Sequence, residues 1–139
     1  MSIKWLIVLI TLVAIGAEVV PVIVSSTRID HAVADLNRIQ FEITKYQLRY
    51  GTIPATIIDL GLAEDVATDP WGHPYKYLNY VNEKAKWRKD QFLKPLNTAF
   101  DLYSMGEDGL AKESLDVPES RDDIVLAANG KYVGLAAEF

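Results

Sequence analysis

The residues best suited to chemistry lie in one acidic stretch, residues 101–123, which contains eight acidic and two basic residues. The acids are Asp101, Glu107, Asp108, Glu113, Asp116, Glu119, Asp122 and Asp123. Gly106 and Gly109 permit tight turns here, so carbonyl oxygens can point inward. Carboxylate and carbonyl oxygens are the ligands of a hard cation such as calcium, although the spacing does not fit an EF-hand. The stretch is therefore either a metal-binding loop or a solvated acidic loop.

The sequence contains no recognisable catalytic constellation. The two histidines, His31 and His73, are far apart, and there is no cysteine. The nucleophile-elbow, phosphate-loop and zinc-protease motifs are also missing. Asp122 and Asp123 are adjacent, but nothing in the sequence predicts a pocket around them. We therefore expect a protein that is not an enzyme, in which His73 is a turn residue.

The bulk composition limits the chain to one small domain plus an anchor. It has 139 residues, half of them hydrophobic, and a formal net charge of −5 with a pI of about 5.0. This acidic balance argues against nucleic-acid binding. A domain of this size without disulfides is only marginally stabilised by its core, which makes a metal or a packed neighbour an attractive stabiliser.

The first segment, residues 1–28, has the character of a membrane-spanning helix. The run from Trp5 to Val24 is almost wholly apolar, contains Glu18 as its only charged residue, and is long enough to cross a bilayer. A cleaved signal peptide is the competing interpretation, but the run passes directly into helical sequence without a small-residue cleavage site. Pro21 is expected to kink the helix, and Lys4 favours a cytoplasmic N-terminus.

The second segment, residues 29–51, has the pattern of an amphipathic continuation of the same helix. One stripe repeats every seven residues with an intermediate position, and it consists of Ile29, Ala32, Leu36, Ile39, Ile43, Tyr46 and Tyr50. Asp35 and the other charged residues lie largely outside this stripe. Gly51 is placed to cap the helix. The stripe predicts packing onto the chain's own head or, alternatively, onto a coiled-coil partner.

The third segment, residues 52–139, is predicted to be a small β head. A helical turn begins near Pro54 and is expected to bury Ile57, Ile58 and Leu60, and strands are expected at residues 75–80 and 100–103. Asn129 and Gly130 predict a type I′ hairpin turn, with a brief helix over residues 122–128 as the alternative. Residues 82–94 form a locally basic loop that either is solvated or contacts anionic lipid or an acidic neighbour. The fold class is therefore α+β, a long helix packed on a small antiparallel sheet.

Two motifs in the head carry a resemblance to a known family. DPWGHPYKYLN begins at Asp69, FDLYSMGEDG begins at Phe100, and SRDDI follows at residues 120–124. In this order after a long helix, they resemble the major pseudopilin of bacterial type II secretion systems, within the type IV pilin-like superfamily. The resemblance covers residues 69–123. The long N-terminal helix from Trp5 to Tyr50, here called the stem, matches the family in its position and length rather than in its motifs.

The resemblance implies a non-enzymatic subunit that assembles through its N-terminal helix into a periplasmic filament. The expected partners are further copies, other pseudopilins, the inner-membrane assembly platform and membrane lipids, without nucleic acid. The subunit would sit in the bacterial inner membrane as a single-pass protein, with the head in the periplasm. The family also binds structural calcium, and the corresponding ligands here are the carbonyl of Met105 and the carboxylates of Asp108, Asp122 and Asp123.

The start of the chain departs from the family pattern. The basic leader ending in glycine is not seen, and aligning Pro21 with the family's helix proline puts Lys4 where a glutamate is expected. One hypothesis is that Lys4 of one subunit pairs with Glu18 of another. The alternatives to a pseudopilus subunit are a type IV pilin-like or minor tip subunit, and a monomeric membrane-anchored calcium-binding module.

Overall fold

The structure is a computed structural model that describes the backbone of residues 3–81 and 86–139, and the side chains of residues 24–63, 66–81 and 86–139. In this part of the chain the helices are α1 (Ile3–Tyr50) and α2 (Glu64–Ala67), and the strands are β1 (Lys76–Asn79), β2 (Phe100–Ser104), β3 (Ile124–Ala127) and β4 (Tyr132–Leu135). This arrangement of one long helix and a small four-stranded sheet confirms the α+β class.

The long helix α1 is continuous over 48 residues, which corresponds to about 72 Å of helix. It therefore runs through both segments that the sequence distinguishes, residues 1–28 and 29–51. Gly51 ends it as predicted, with a φ of 73° that suits glycine, and its N–H donates to the carbonyl of Gln47 at 2.8 Å.

The sheet is antiparallel, with its strands in the order β1-β2-β3-β4. Its two outer pairings extend over four residues each, whereas β2 and β3 are paired only at Tyr103 with Val125 and at Ser104 with Ile124. All four residues of β3 are buried. Since neighbouring side chains of a strand point to opposite faces, β3 must be covered on both sides.

The helix covers one face of the sheet and loops cover the other. Ala32, Leu36, Ile39 and Ile43 of α1 pack with Ile124 and Leu126 of β3 in the main core cluster. On the opposite face, Val125 and Ala127 pack with side chains from the connecting loops, namely Leu96, Leu115 and Ala136. The seven-residue stripe of the stem therefore packs on the chain's own head, as one of the two predicted alternatives had it.

Three side chains differ from the sequence prediction. Tyr50 belongs to the predicted stripe but is 59% exposed, because the helix ends there and its ring packs against Tyr46 instead. Asp35 was expected outside the stripe but is buried, since the hydroxyl of Tyr75 donates to its Oδ2 at 2.8 Å. Ile58 was expected in the core but is 83% exposed.

The short elements also differ from prediction in detail. The helical turn after Pro54 occupies Ile57–Leu60, and the short helix α2 follows it at Glu64–Ala67. The C-terminal hairpin is confirmed and the alternative helix is not formed, because β3 occupies that segment. Its loop has four residues rather than two, since Ala127 pairs with Tyr132, and Ala128, Asn129 and Gly130 all have positive φ.

Candidate cation loop and its buried ion pair

The residues implied as cation ligands come from the two ends of one long loop. Met105 and Asp108 follow β2, whereas Asp122 and Asp123 directly precede β3. Because Ser104 of β2 pairs with Ile124 of β3, the two ends of this loop meet at the same edge of the sheet. The sheet register therefore explains how residues 14 positions apart come into contact.

Asp108 and Asp122 are joined directly. The backbone N–H of Asp108 donates to Oδ2 of Asp122 at 3.0 Å. Gly106 makes this approach possible, because its φ is 63° and a Cβ at this position would lie 2.3 Å from the carbonyl oxygen of Asp122. A glycine is therefore required here both for its backbone conformation and for the space it leaves.

Asp123 is in a different environment from Asp122. Its side chain is completely buried, and its Oδ2 accepts from Nη2 of Arg88 at 2.5 Å. Its Oδ1 is also buried and has no hydrogen-bond partner among the residues that the structure describes. Burial raises the pKa of Asp123 above its ordinary value, the Arg88 guanidinium offsets part of this rise, and the nearby carboxylates of Asp122 and Asp108 add to it.

Arg88 is held on several sides although it comes from the basic loop. Its side chain is only 2% exposed, and its guanidinium lies over the ring of Tyr103 at 4.3 Å. Its backbone N–H donates to Oδ2 of Asp101 at 2.7 Å. The Nε and Nη1 atoms are buried, and no described residue hydrogen-bonds to them. The interpretation of this loop as wholly solvated is therefore wrong at Arg88, which serves as the counter-ion of the acidic loop.

A second buried carboxylate, that of Asp101, holds the backbone of Arg88 in place. Asp101 is buried and accepts hydrogen bonds from the hydroxyl of Tyr80 at 2.6 Å and from the side-chain amide of Asn97 at 3.1 Å. Burial raises the pKa of Asp101, and these donors together with Arg88 oppose the rise. Asp101 therefore fixes the backbone position from which the Arg88 side chain extends.

The turn that begins at Asp69 holds the start of the acidic loop. The buried carboxylate of Asp69 accepts from the backbone N–H groups of Trp71 and His73 and from the hydroxyl of Ser104. The same hydroxyl accepts from the N–H of Gly106 at 3.0 Å, and Nδ1 of His73 lies 3.1 Å from the carbonyl oxygen of Gly106. His73 is thus a turn residue as expected, and it also contacts the acidic loop.

The donor set suits a hard cation in its chemistry, since it offers carboxylate oxygens, one of them buried and unpaired. The side chains are not gathered around a common point, however. Among the residues that the structure describes, no group of three or more histidine or acidic side chains is arranged to hold a metal ion. The calcium site therefore stays a prediction.

The residues singled out in the stem lie outside the described side chains. Lys4, Glu18 and Pro21 fall in this part, so their contacts are not described. Between Val24 and Phe139, wherever side chains are described, no helix is both long and apolar enough to cross a membrane. The predicted span at residues 1–28 lies almost entirely outside the described side chains.

Comparisons with protein-family models, with curated proteins and with solved structures found no match. The functional interpretation therefore depends on the residues and on the geometry described above.

Proposed function

We propose that this chain is a non-enzymatic structural subunit that assembles through its N-terminal helix into a periplasmic pseudopilus driving type II protein secretion. In this proposal residues 1–28 anchor the subunit in the bacterial inner membrane, with a cytoplasmic N-terminus and a periplasmic head. Its partners are further copies of the chain, other pseudopilins, the inner-membrane assembly platform and membrane lipids.

The observation that carries this proposal is that one helix, α1, contains both the apolar run and the stripe that packs in the head core. The helix is continuous from Ile3 to Tyr50, and among its described side chains those that pack in the head core begin at Ile29. The apolar run of the sequence before that point belongs to the same helix. An apolar run of this length is suited to a bilayer or to a bundle of identical helices. The motifs at Asp69 and Phe100 support the same assignment.

Calcium is proposed to bind the acidic loop as a structural ion. The carbonyl of Met105 and the carboxylates of Asp108, Asp122 and Asp123 would hold it, and the bound cation would offset the repulsion among these carboxylates. The unpaired Oδ1 of Asp123 is the atom that supports including this residue. The role of Arg88 is then to keep the Asp123 carboxylate ionised and fixed in position.

Filament formation tests the main proposal. The full chain is expressed in a bacterium with a type II secretion system that lacks its own major pseudopilin, and the sheared cell-surface fraction is inspected by electron microscopy while exoprotein release is measured. We expect filaments and at least partial restoration of secretion. A chain that remains monomeric in the membrane and restores nothing would contradict the proposal and favour an anchored module. Filaments without secretion would favour a type IV pilin-like subunit.

Calcium binding is tested by the melting temperature of the full chain in a mild detergent. We expect calcium to raise it and a chelator to lower it, because a ligand at 100 times its dissociation constant adds about 2.7 kcal/mol. In Asp122→Ala the response should be lost. Asp116→Ala is the matched control, since Asp116 is an exposed acid of the same loop outside the ligand set. Equal responses of both variants would contradict the assigned ligands.

A further inference from the structure

Two apolar patches lie on different elements of the described surface. The stem patch consists of Phe41 and Leu48, which are one heptad apart on α1 and are 63% and 83% exposed. The head patch consists of Phe92, Leu93 and Phe139, which are 71%, 70% and 45% exposed. Large side chains left in solvent in such groups mark interaction sites more often than isolated ones do.

The head patch borders a defined groove. Phe92 and Leu93 are at the tip of a loop that Asp90 fixes, because its Oδ1 accepts from the N–H groups of Phe92 at 2.8 Å and Lys94 at 2.9 Å. Leu93 has a φ of 61°, an unfavourable conformation for leucine. Between this tip and the C-terminal residues 136–139 lies a groove of about 470 Å³. The apolar tip is thus held in place before any partner binds.

The charges around the two patches are opposite. The groove is lined by the acids Asp90, Asp116 and Glu138 and by one base, Arg121. The exposed side of α1 around the stem patch carries the bases Arg38, Lys45 and Arg49 and the acid Glu42, and a second acid, Asp59, borders the patch beside Leu48 and Arg49. One of these bases is already engaged, since Lys45 pairs with Glu42 at 2.8 Å. The acidic groove and the basic stem patch are therefore electrostatically complementary, which favours one specific pairing.

The two patches also lie at different heights along the stem. The C-terminal residues Leu135 and Glu138 line a groove together with Ser25 and Asp30, at the beginning of the described stem. The stem patch is about 15 residues further along, which corresponds to about 22 Å of helix. The two patches of one molecule therefore cannot contact each other. A contact between the stem patch of one copy and the head groove of another displaces the two copies along the helix axis.

We propose that the stem patch of one copy docks into the head groove of a second copy. Contacts between unlike patches are heterologous, so a docked pair keeps one free patch of each kind and can add further copies, and the displacement along the helix axis keeps the assembly open. This inference rests on the filament proposed above and adds a contact outside the apolar run of the stem. The occupant of the groove is a second copy because its own stem supplies both the apolar side chains and the opposite charge.

Cysteine cross-linking tests the pairing directly, because the full chain contains no cysteine. A Leu48→Cys variant and an Ala137→Cys variant are purified in mild detergent, mixed and oxidised. We expect a disulfide-linked dimer from the mixture and little from either variant alone. Ile58→Cys is the matched control, since Ile58 is also an 83% exposed apolar residue but lies off the stem patch. Equal yields with Ile58→Cys, or dimers mainly from single variants, would overturn the proposal.

Charge reversal gives an independent readout. Arg49→Glu and Glu138→Arg should each weaken self-association by about tenfold, and a mixture of the two variants should recover it, because every contact between unlike variants again joins opposite charges. Failure of the mixture to recover would count against the pairing. Vesicles of anionic and of neutral lipid examine the other occupant: if the full chain binds anionic vesicles more strongly, and Phe92→Ser removes this preference but leaves self-association unchanged, the groove serves a lipid surface and the proposal is wrong.

The outcome is separable from that of the proposed function. Filaments that form with no Leu48 to Ala137 cross-link would refute the docking contact and leave the pseudopilus assignment intact. Cross-linked pairs without filaments or secretion would support the contact and refute the assignment.

Discussion

The buried pair of Arg88 and Asp123 should be the most sensitive point of the head. In Arg88→Met the aliphatic volume is roughly kept, but the carboxylate of Asp123, 0% exposed, loses the one side chain among the described residues that is hydrogen-bonded to it. Breaking such a pair from one side costs about 3–5 kcal/mol, because an uncompensated charge stays buried. For a domain of this size, 3 kcal/mol corresponds to a fall of about 12–24 °C in the melting temperature.

The assay is chemical denaturation of the full chain in mild detergent, followed by tryptophan fluorescence, for Arg88→Met, Asp123→Asn and the double variant. The double variant should cost less than the sum of the two single variants, because neither charge is then left alone. Lys89→Met is the control from the neighbouring position. Lys89 pairs with Glu113 at 3.1 Å, but both side chains are substantially exposed, so its loss should cost at most about 1 kcal/mol. A cost for Arg88→Met equal to that of Lys89→Met, or strictly additive costs, would refute the reasoning.

The remaining predictions concern a glycine, a buried hydrogen bond and the buried tyrosines. Gly106→Ala should destabilise the chain more than Gly61→Ala, because both have φ near 60° but only Gly106 leaves no room for a Cβ; equal melting temperatures would contradict this. Tyr75→Phe should cost about 1–3 kcal/mol in denaturant titrations by leaving Oδ2 of Asp35 without its buried donor. Stability should fall as the pH rises above 10, because burial raises the pKa of three tyrosines in the folded state, so the unfolded chain loses these protons first. Absorbance at alkaline pH should then show Tyr75, Tyr77 and Tyr80 ionising together with unfolding rather than before it.

The sequence predicts the parts of the fold that depend on local pattern. The seven-residue stripe of the stem identifies Leu36 and Ile43 as buried, because a helix presents such residues on one face. The Asn129-Gly130 dipeptide identifies the hairpin, although not the length of its loop. Tyr50 deviates because the surface on which the helix packs does not extend to its last turn, and no local pattern reports where that surface ends.

The contacts of the buried charged residues join positions that are far apart in the sequence, so no local pattern predicts them. Asp35 is buried because of Tyr75, 40 positions later, and Arg88 meets Asp123 after 35 positions. No local sequence pattern at Asp35 or at Arg88 indicates burial, so the burial of these two charged residues was not predicted. The adjacent Trp87 is not the aromatic partner of Arg88 either, because the guanidinium lies over the ring of Tyr103, 15 positions later.

The short pairing between β2 and β3 has a consequence for how the head opens. The sheet is two strand pairs joined by only two residue pairs, and the chain crosses this junction through residues 105–123. The helix α1 contacts strands on both sides of the junction. How cooperatively the head unfolds therefore depends on the stem, which packs on one face of the sheet, and on the acidic loop, which joins β2 to β3. Amide exchange should therefore be fastest at this junction, and if the loop binds calcium as proposed, exchange there should slow when calcium is added.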